Sequence, residues 1–141
     1  IEKSIEYFYP ATFSPWKLQS QIAHLGNKLL CVGTIQPDGQ EEYEACVKNG
    51  VRTEVGYFPA EKIKDYYIRA TNVIIPAIHG SERTVLEAMS MNILPKVVNQ
   101  QNIKALSFVE ECKLSGMTPR EFVLTNYSHK QYLEAILKGM E

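Results

Sequence analysis

Polar side chains gather around one predicted strand-to-helix junction, residues 77–87. His79 and Ser81 lie in a short loop, and a helical stretch begins at Glu82, with Arg83 and Thr84 in its first turn. The first turn of a helix has backbone N–H groups without intrahelical partners and a partial positive charge, so it favours an anion such as phosphate. Ser81 is a predicted N-cap, since a serine hydroxyl oxygen can accept a hydrogen bond from one of these N–H groups. The junction therefore predicts a phosphate-binding site.

The junction belongs to a predicted strand–helix–strand unit. Val73-Ile74-Ile75 is a β-branched run that Pro76 stops, the helix covers residues 82–91, and a second apolar run covers residues 94–98. Two parallel strands need such a crossover, which is nearly always right-handed. Ligands of open α/β sheets bind at the carboxyl ends of the strands, which is where the polar loop should lie.

The rest of the chain predicts further strands and helices. Residues 28–33 form a continuous apolar run, as expected of a strand buried on both faces. Residues 51–56 predict a second strand, and residues 5–10 fit either an edge strand or an extended linker. Helices are predicted over 14–26, 41–48, 59–70 and 103–114, and from the capping boxes that begin at Thr118 and Ser128.

Composition excludes several classes of protein. The 141 residues are 45% hydrophobic and 22% charged, which is typical of one globular domain. A net charge of −1 favours neither nucleic acid nor an anionic membrane, and no apolar run is long enough to span a bilayer. The three isolated cysteines, Cys31, Cys46 and Cys112, predict buried free thiols in a reducing compartment, with a catalytic cysteine as the alternative. We expect a cytoplasmic protein, associated with a membrane only through another domain.

Residues 74–98, IIPAIHGSERTVLEAMSMNILPKVV, resemble the donor-binding segment of retaining GT-B glycosyltransferases of the glycosyl transferases group 1 family. That family reads strand, Pro-Ser, E-x(7)-E, A-M-A and x-Pro-Val, and the matching residues here are Pro76, Glu87-Ala88-Met89 and Pro95. The stretches Val51 to Tyr67 and Val32-Gly33 are also similar to family segments, so the resemblance covers about residues 28–98.

The resemblance implies roles for three side chains near the sugar and the ribose. Glu87 matches the second glutamate of the motif, whose carboxylate accepts hydrogen bonds from both ribose hydroxyls; the alternative is a solvent-facing helix residue. His79 stands where the first glutamate contacts the transferred sugar, and Glu82, three residues on, is another source of that carboxylate. His79 and Glu82 are therefore the candidate catalytic residues.

The resemblance also implies contacts with the diphosphate and the base. Gly33 matches the glycine that opens the nucleotide-binding domain, but Thr34 stands where the family has a diphosphate-binding arginine. Arg83 is the predicted replacement for that cation, unless it pairs with Glu87 four residues on. The remaining candidates are backbone N–H groups at the helix start and aromatic rings near the base: Ser81, Arg83, Thr84, Tyr57 and Phe58.

We therefore expect a Rossmann-like three-layer α/β domain over residues 1–141, with a mainly parallel sheet of four or five strands and with residues 1–27 as an interdomain linker and first helix. The resemblance implies transfer of a sugar from a nucleotide-diphosphate sugar, with retention and without a metal or other cofactor. It also implies a partner, an N-terminal acceptor-binding domain outside this chain, without which the chain is inactive. The alternative is a non-catalytic Rossmann-like scaffold, which Thr34 and His79 favour because they replace the family's arginine and glutamate.

Overall fold

Strands and helices alternate along the chain in the computed structural model, which describes residues 2–130 and 133. The strands are β1 (Ile5–Pro10), β2 (Leu29–Gly33), β3 (Arg52–Val55), β4 (Ala70–Ile75) and β5 (Lys96–Val97). The α-helices are α1 (Gln40–Lys48), α2 (Ala60–Arg69), α3 (Glu82–Ser90), α4 (Ile103–Ser115) and α5 (Pro119–Asn126). The helix predicted from Ser128 onward falls almost entirely outside the described residues.

The five strands form one parallel sheet in the order β3-β2-β1-β4-β5. In register, Tyr7 lies opposite Leu29 on one side of β1 and opposite Asn72 on the other. Helix α1 packs with two short 3₁₀ helices, while α2 packs on β1 and contacts α3. Because right-handed crossovers in opposite directions place their helices on opposite faces, the sheet is covered on both sides. This confirms the predicted three-layer, Rossmann-like α/β fold.

Residues 5–10 form the central strand of the sheet, so the prediction of an edge strand or an extended linker is wrong for them. Phe8 and Tyr9 are both fully buried, and successive residues of a strand point to opposite faces. The ring of Phe8 lies 5.4 Å from that of Tyr66 and 5.1 Å from that of Tyr67, both on α2. A strand with helices on both faces needs two consecutive large apolar side chains, and this chain supplies them here.

The helix predicted over residues 14–26 is also wrong as one continuous element. Leu18 has a left-handed backbone (φ 52°), which no continuing helix allows, and two 3₁₀ helices follow, Gln19–Gln21 and Ala23–Lys28. Ile22 is buried as predicted, but Trp16 is 54% exposed and does not join the core. The chain after β1 therefore crosses the end of the sheet as a loop.

The direction of strand succession reverses beside β1. From β1 the chain proceeds to β2 and β3 on one side, and it then returns to β4 and β5 on the other. This is a topological switch point, where the loops that leave the carboxyl ends of neighbouring strands separate and open a crevice. The loops that follow β1, β2, β3 and β4 all leave the sheet at this edge, so the candidate site is expected at the carboxyl ends of these strands.

Three further features of the described residues bear on function. Cys31, Cys46 and Cys112 are free and buried, as expected. No helix within the described residues is both long and apolar enough to cross a membrane. Across residues 2–130 and 133, no group of three or more histidine, cysteine or acidic side chains is arranged to hold a metal ion.

Candidate functional site

A cavity of about 350 Å³ opens at the switch point, and we call it the main cleft. Its walls are the carboxyl ends of β1, β2 and β3 and the first turns of α2 and α3. Seven of the predicted binding residues line it: Gly33, Thr34, Tyr57, Phe58, Arg83, Thr84 and Glu87. The structure thus brings together residues that the sequence separates by more than fifty positions.

Glu87 is a buried carboxylate in the wall of the main cleft, with a side chain only 7% exposed. Its Oε2 accepts a hydrogen bond from Arg83 Nε at 3.0 Å, and its Oε1 accepts one from Tyr67 Oη at 3.3 Å. Burial raises the pKa of the Glu87 carboxyl, and Arg83 opposes that shift. Each carboxylate oxygen has about two acceptor sites, so the bonds to Arg83 and Tyr67 do not use the full acceptor capacity of the carboxylate.

The first turn of α3 contains Arg83, the predicted cation, and Thr84, whose side chain is hydrogen-bonded to the end of β1. Arg83 makes the predicted i,i+4 ion pair with Glu87, yet its side chain remains 62% exposed at the cleft. Thr84 is buried, and its Oγ1 donates a hydrogen bond to the Pro10 carbonyl oxygen at 3.3 Å. That bond ties α3 to the end of the central strand, so the helix start is fixed relative to the cleft.

On the β2 side of the main cleft, the backbone at the end of β2 lies very close to the loop after β1. A Cβ on Gly33 would lie 2.2 Å from the Ala11 carbonyl oxygen, so only glycine fits there. Thr12 Oγ1 lies 3.0 Å from both the carbonyl oxygen and Oγ1 of Thr34. Thr34, which replaces the expected arginine, is therefore engaged with the loop after β1.

The two aromatic residues predicted near the base differ in their surroundings. The side chain of Tyr57 is 90% exposed at the mouth of the main cleft. Phe58 is partly buried and packs edge-on against Tyr66, with ring centroids 6.3 Å apart. Tyr57 is thus available to stack on a planar ligand, whereas Phe58 forms part of the wall.

Ser81 stands at the N-cap position of α3, but its hydroxyl does not cap the helix, so that prediction is wrong. Its backbone is left-handed (φ 63°), whereas a capping serine needs an extended backbone to aim its hydroxyl at the helix. Instead, Ser81 Oγ accepts a hydrogen bond from Lys17 Nζ at 3.2 Å. Ser81 therefore holds an ammonium group against the N-terminus of α3.

Lys17 was not predicted as a site residue. It follows β1, its carbonyl oxygen accepts a hydrogen bond from the buried Tyr9 hydroxyl at 2.7 Å, and its side chain is half-buried. Burial lowers the pKa of the Lys17 ammonium. A Cβ on Gly80, the residue before Ser81, would lie 3.3 Å from Lys17 Nζ, so the ammonium also lies close to the backbone of this loop. A half-buried cation beside a helix start is the arrangement that an anion would stabilise.

His79 lies in a second cavity, of about 280 Å³, which we call the side cleft. Its ring lies against the indole of Trp16, with centroids 5.3 Å apart and planes inclined by 32°. Thr12 lines both the side cleft and the main cleft, so the two are neighbours. The two predicted catalytic residues are therefore separated, because Glu82 lines neither cleft.

Glu82 faces α4. Its Oε2 lies 3.0 Å from Lys104 Nζ, and its Oε1 lies 3.9 Å from Lys130 Nζ. These pairs engage both carboxylate oxygens with cations outside the clefts. The geometry gives no support to Glu82 as a substitute for the family's first glutamate.

A buried asparagine, also missed, fixes the loop that carries His79. Asn102 Nδ2 donates hydrogen bonds to the carbonyl oxygens of Ala77 (3.1 Å) and Gly80 (3.2 Å), and its Oδ1 accepts one from Ala105 N. One side chain thus caps α4 and holds the polar loop. An asparagine just before an amphipathic helix is the sequence signal for the cap, but nothing in the sequence indicates the loop contacts.

The fold is found in a known glycosyltransferase domain. The catalytic domain of cholesterol-α-glucosyltransferase from Helicobacter pylori superposes with a TM-score of 0.56 at 16% sequence identity, covering 90% of this chain and 100% of that domain. No family model and no curated protein matches the sequence. At this identity the likeness establishes the fold, a Rossmann-like glycosyltransferase scaffold, and the chemistry must be argued from the clefts.

Proposed function

We propose that this chain is the donor-binding domain of a glycosyltransferase, which takes a sugar from a nucleotide-diphosphate sugar. One observation carries the proposal: at the switch point of the sheet, the main cleft combines the exposed ring of Tyr57, the buried carboxylate of Glu87 and the cation of Arg83 at a helix start. A nucleoside diphosphate presents a planar base, a pair of ribose hydroxyls and two phosphates, and each has a matching group here. The likeness in fold to a glycosyltransferase catalytic domain supports this choice among nucleotide-binding functions.

The base and ribose are assigned to the outer and inner parts of the main cleft. In our proposal the base stacks on Tyr57, the exposed ring at the mouth. The ribose hydroxyls donate to Glu87, whose acceptor capacity is not fully used by its bonds to Tyr67 and Arg83. The ion pair with Arg83 therefore holds the carboxylate in place and does not exclude the ribose.

The diphosphate is assigned to the start of α3. Lys17, held by Ser81, and Arg83, in the first turn, supply two cations where Thr34 leaves out the family's arginine. When the bond between the anomeric carbon and the phosphate oxygen breaks, the electron pair stays on the diphosphate. These cations and the helix N–H groups stabilise that charge, an electrostatic form of catalysis that needs no metal in this proposal.

Acceptor binding is assigned to another domain. The main cleft is an open crevice at the carboxyl ends of the strands. We propose that this chain alone binds nucleotide weakly and transfers no sugar, and that transfer with retention needs an acceptor domain. Measurable sugar transfer by the isolated chain would contradict this part of the proposal.

The test is an NMR titration of the isotopically labelled chain with UDP, GDP and ADP. One nucleotide is expected to shift the amides of Gly33 and Gly56 and of residues 81–87, whereas Gly116, at the far end of α4, serves as an internal control. If none of the three shifts these amides at millimolar concentration, the donor-site proposal is refuted, and a non-catalytic scaffold becomes the better account.

A further inference from the structure

We propose that Trp16 is the platform on which the sugar of the donor rests, and that the side cleft selects an uncharged pyranose. This inference rests on the proposed function, because it places the sugar of the same donor whose nucleotide occupies the main cleft. It names a specificity-determining residue and a substrate class that the sequence does not suggest.

Trp16 is exposed, yet its position is fixed. Its carbonyl oxygen accepts a hydrogen bond from Ile78 N at 3.1 Å, and the carbonyl oxygen of the next residue, Lys17, accepts one from the buried Tyr9 hydroxyl. The ring of His79 supports the indole from one side. Trp16 is 54% exposed and adds little to the core, but its indole, on a held backbone and against the His79 ring, offers an apolar surface to a ligand.

Polar groups surround this surface. Gln36 and Asp38, from the loop after β2, line the same cleft as Trp16 and His79. Their loop is locked to the loop after β1: Gln36 N donates to the Phe13 carbonyl oxygen at 3.1 Å, and Gly39 packs against the same carbonyl so closely that no Cβ fits. Amide and carboxylate side chains, carried on a fixed backbone beside an apolar surface, suit a ligand with one apolar face and hydroxyls at its edge, which is a pyranose.

The side cleft also has the correct position and charge. It adjoins the main cleft at Thr12, and Lys17 is one of its own lining residues, so a diphosphate that reaches Lys17 from the main cleft would direct the attached sugar towards Trp16. Once the diphosphate neutralises Lys17, Asp38 is the remaining full charge among the residues that line this cleft. An anionic sugar such as a uronate is then repelled, whereas a neutral hexose is not.

Trp16 is the only tryptophan in the sequence, so its fluorescence reports on the side cleft alone. The experiment titrates the full chain with whichever of UDP, GDP and ADP binds best and with its glucose and glucuronate conjugates. The glucose conjugate is expected to change Trp16 emission and to bind more tightly than the free nucleotide, and the glucuronate conjugate is not. Trp16→Ala should weaken the glucose conjugate about three- to tenfold, the range expected of aromatic stacking, and leave the free nucleotide unchanged.

Two variants provide controls. Trp16→Phe should retain part of the preference for the glucose conjugate, and Asp38→Asn should reduce the discrimination against glucuronate without changing the affinity for free nucleotide. The inference is overturned if free nucleotide changes Trp16 emission as much as the conjugate does, because the ring then stacks on the base. It is also overturned if Trp16→Ala weakens both ligands equally. Nucleotide binding without any gain from the sugar refutes this inference only, whereas no binding at all refutes the proposed function with it.

Discussion

Replacing Lys17 by methionine should separate binding from stability. The ammonium is half-buried, its hydrogen bond within the described residues goes to the neutral Ser81 hydroxyl, and burial lowers its pKa. The fold therefore disfavours this charge, while a bound diphosphate would favour it. Methionine keeps the length and apolar stem of lysine without the charge. We expect Lys17→Met to unfold at the same temperature as the unaltered chain or higher, while it binds nucleotide less well.

The size of the binding loss follows from the bond that disappears. A hydrogen bond to a charged group contributes about 1.5–3 kcal/mol, which corresponds to about a 10- to 150-fold rise in the dissociation constant of a nucleoside diphosphate. The affinity for the nucleoside without phosphates should not change. Lys28→Met removes an exposed lysine from a 3₁₀ helix and serves as the matched control. Isothermal titration calorimetry with the diphosphate and the nucleoside measures both quantities.

The pH dependence of stability gives a second check on Lys17. A base whose pKa is lowered by folding binds protons less well in the folded state, so its contribution to stability rises with pH. The rise should occur between the lowered pKa and the ordinary lysine value of 10.5, and Lys17→Met should lack it. Equal nucleotide affinity in Lys17→Met and the unaltered chain, or an equal loss for the nucleoside, would show that this ammonium does not bind the diphosphate.

Three further predictions concern other parts of the structure. Glu87→Gln should abolish a preference for ribonucleotides over 2′-deoxyribonucleotides, and an unaltered preference would exclude Glu87 as the acceptor of the ribose hydroxyls. In the unaltered chain, nucleotide binding should weaken on acidification with a midpoint above the ordinary glutamate pKa, because burial raises the pKa of Glu87. Titration calorimetry at several pH values measures both effects. Gly39→Ala should lower the free energy of unfolding by about 2 kcal/mol or more, because its Cβ would lie 1.8 Å from the Phe13 carbonyl oxygen. Gly50→Ala, in open space with φ 76°, should cost only about 1 kcal/mol, from its left-handed backbone. Urea denaturation compares the two variants, and equal losses would show that the contact between Gly39 and Phe13 is not tight. Thr118→Ala, which removes the capping box of α5, should cost about 1 kcal/mol in the same assay, and no loss would mean that the cap adds nothing to stability.

The sequence predicted the second half of the sheet better than the first. A β-branched run that ends at proline and an amphipathic helix specify β4 and α3 locally, and both form where expected. Side-chain periodicity indicates which faces of a strand are buried and says little about which strands lie on either side, so it does not show that residues 5–10 are central in the sheet. The consecutive burial of Phe8 and Tyr9 is the signal of a central strand, and the polar neighbour Glu6 obscured it.

A local sequence pattern does not show which segments are neighbours in the fold, and this decides which site residues the sequence predicts. Gly33, Thr84 and Glu87 belong to segments whose spacing the sequence displays, and the fold brings them into one cleft. Thr12 and Lys17 follow β1, so their place at the clefts depends on the central position of that strand, which the sequence pattern does not indicate. Ser81 was assigned to capping by residue type, but the direction of its hydroxyl depends on a left-handed backbone that composition does not predict.

The central position of β1 affects how the domain must fold. Its pairing with β2 joins Tyr7 to Leu29, but its pairing with β4 joins Ile5 to Ala70, across half of the chain. Contacts between residues so far apart require closure of a long loop before they contribute stability, and they slow folding. We expect the sheet to form in two stages, with β1, β2 and β3 associating before β4 completes it. A change at Phe8 should then slow the second stage as well as weaken the native state, because this side chain packs against the helix that leads into β4.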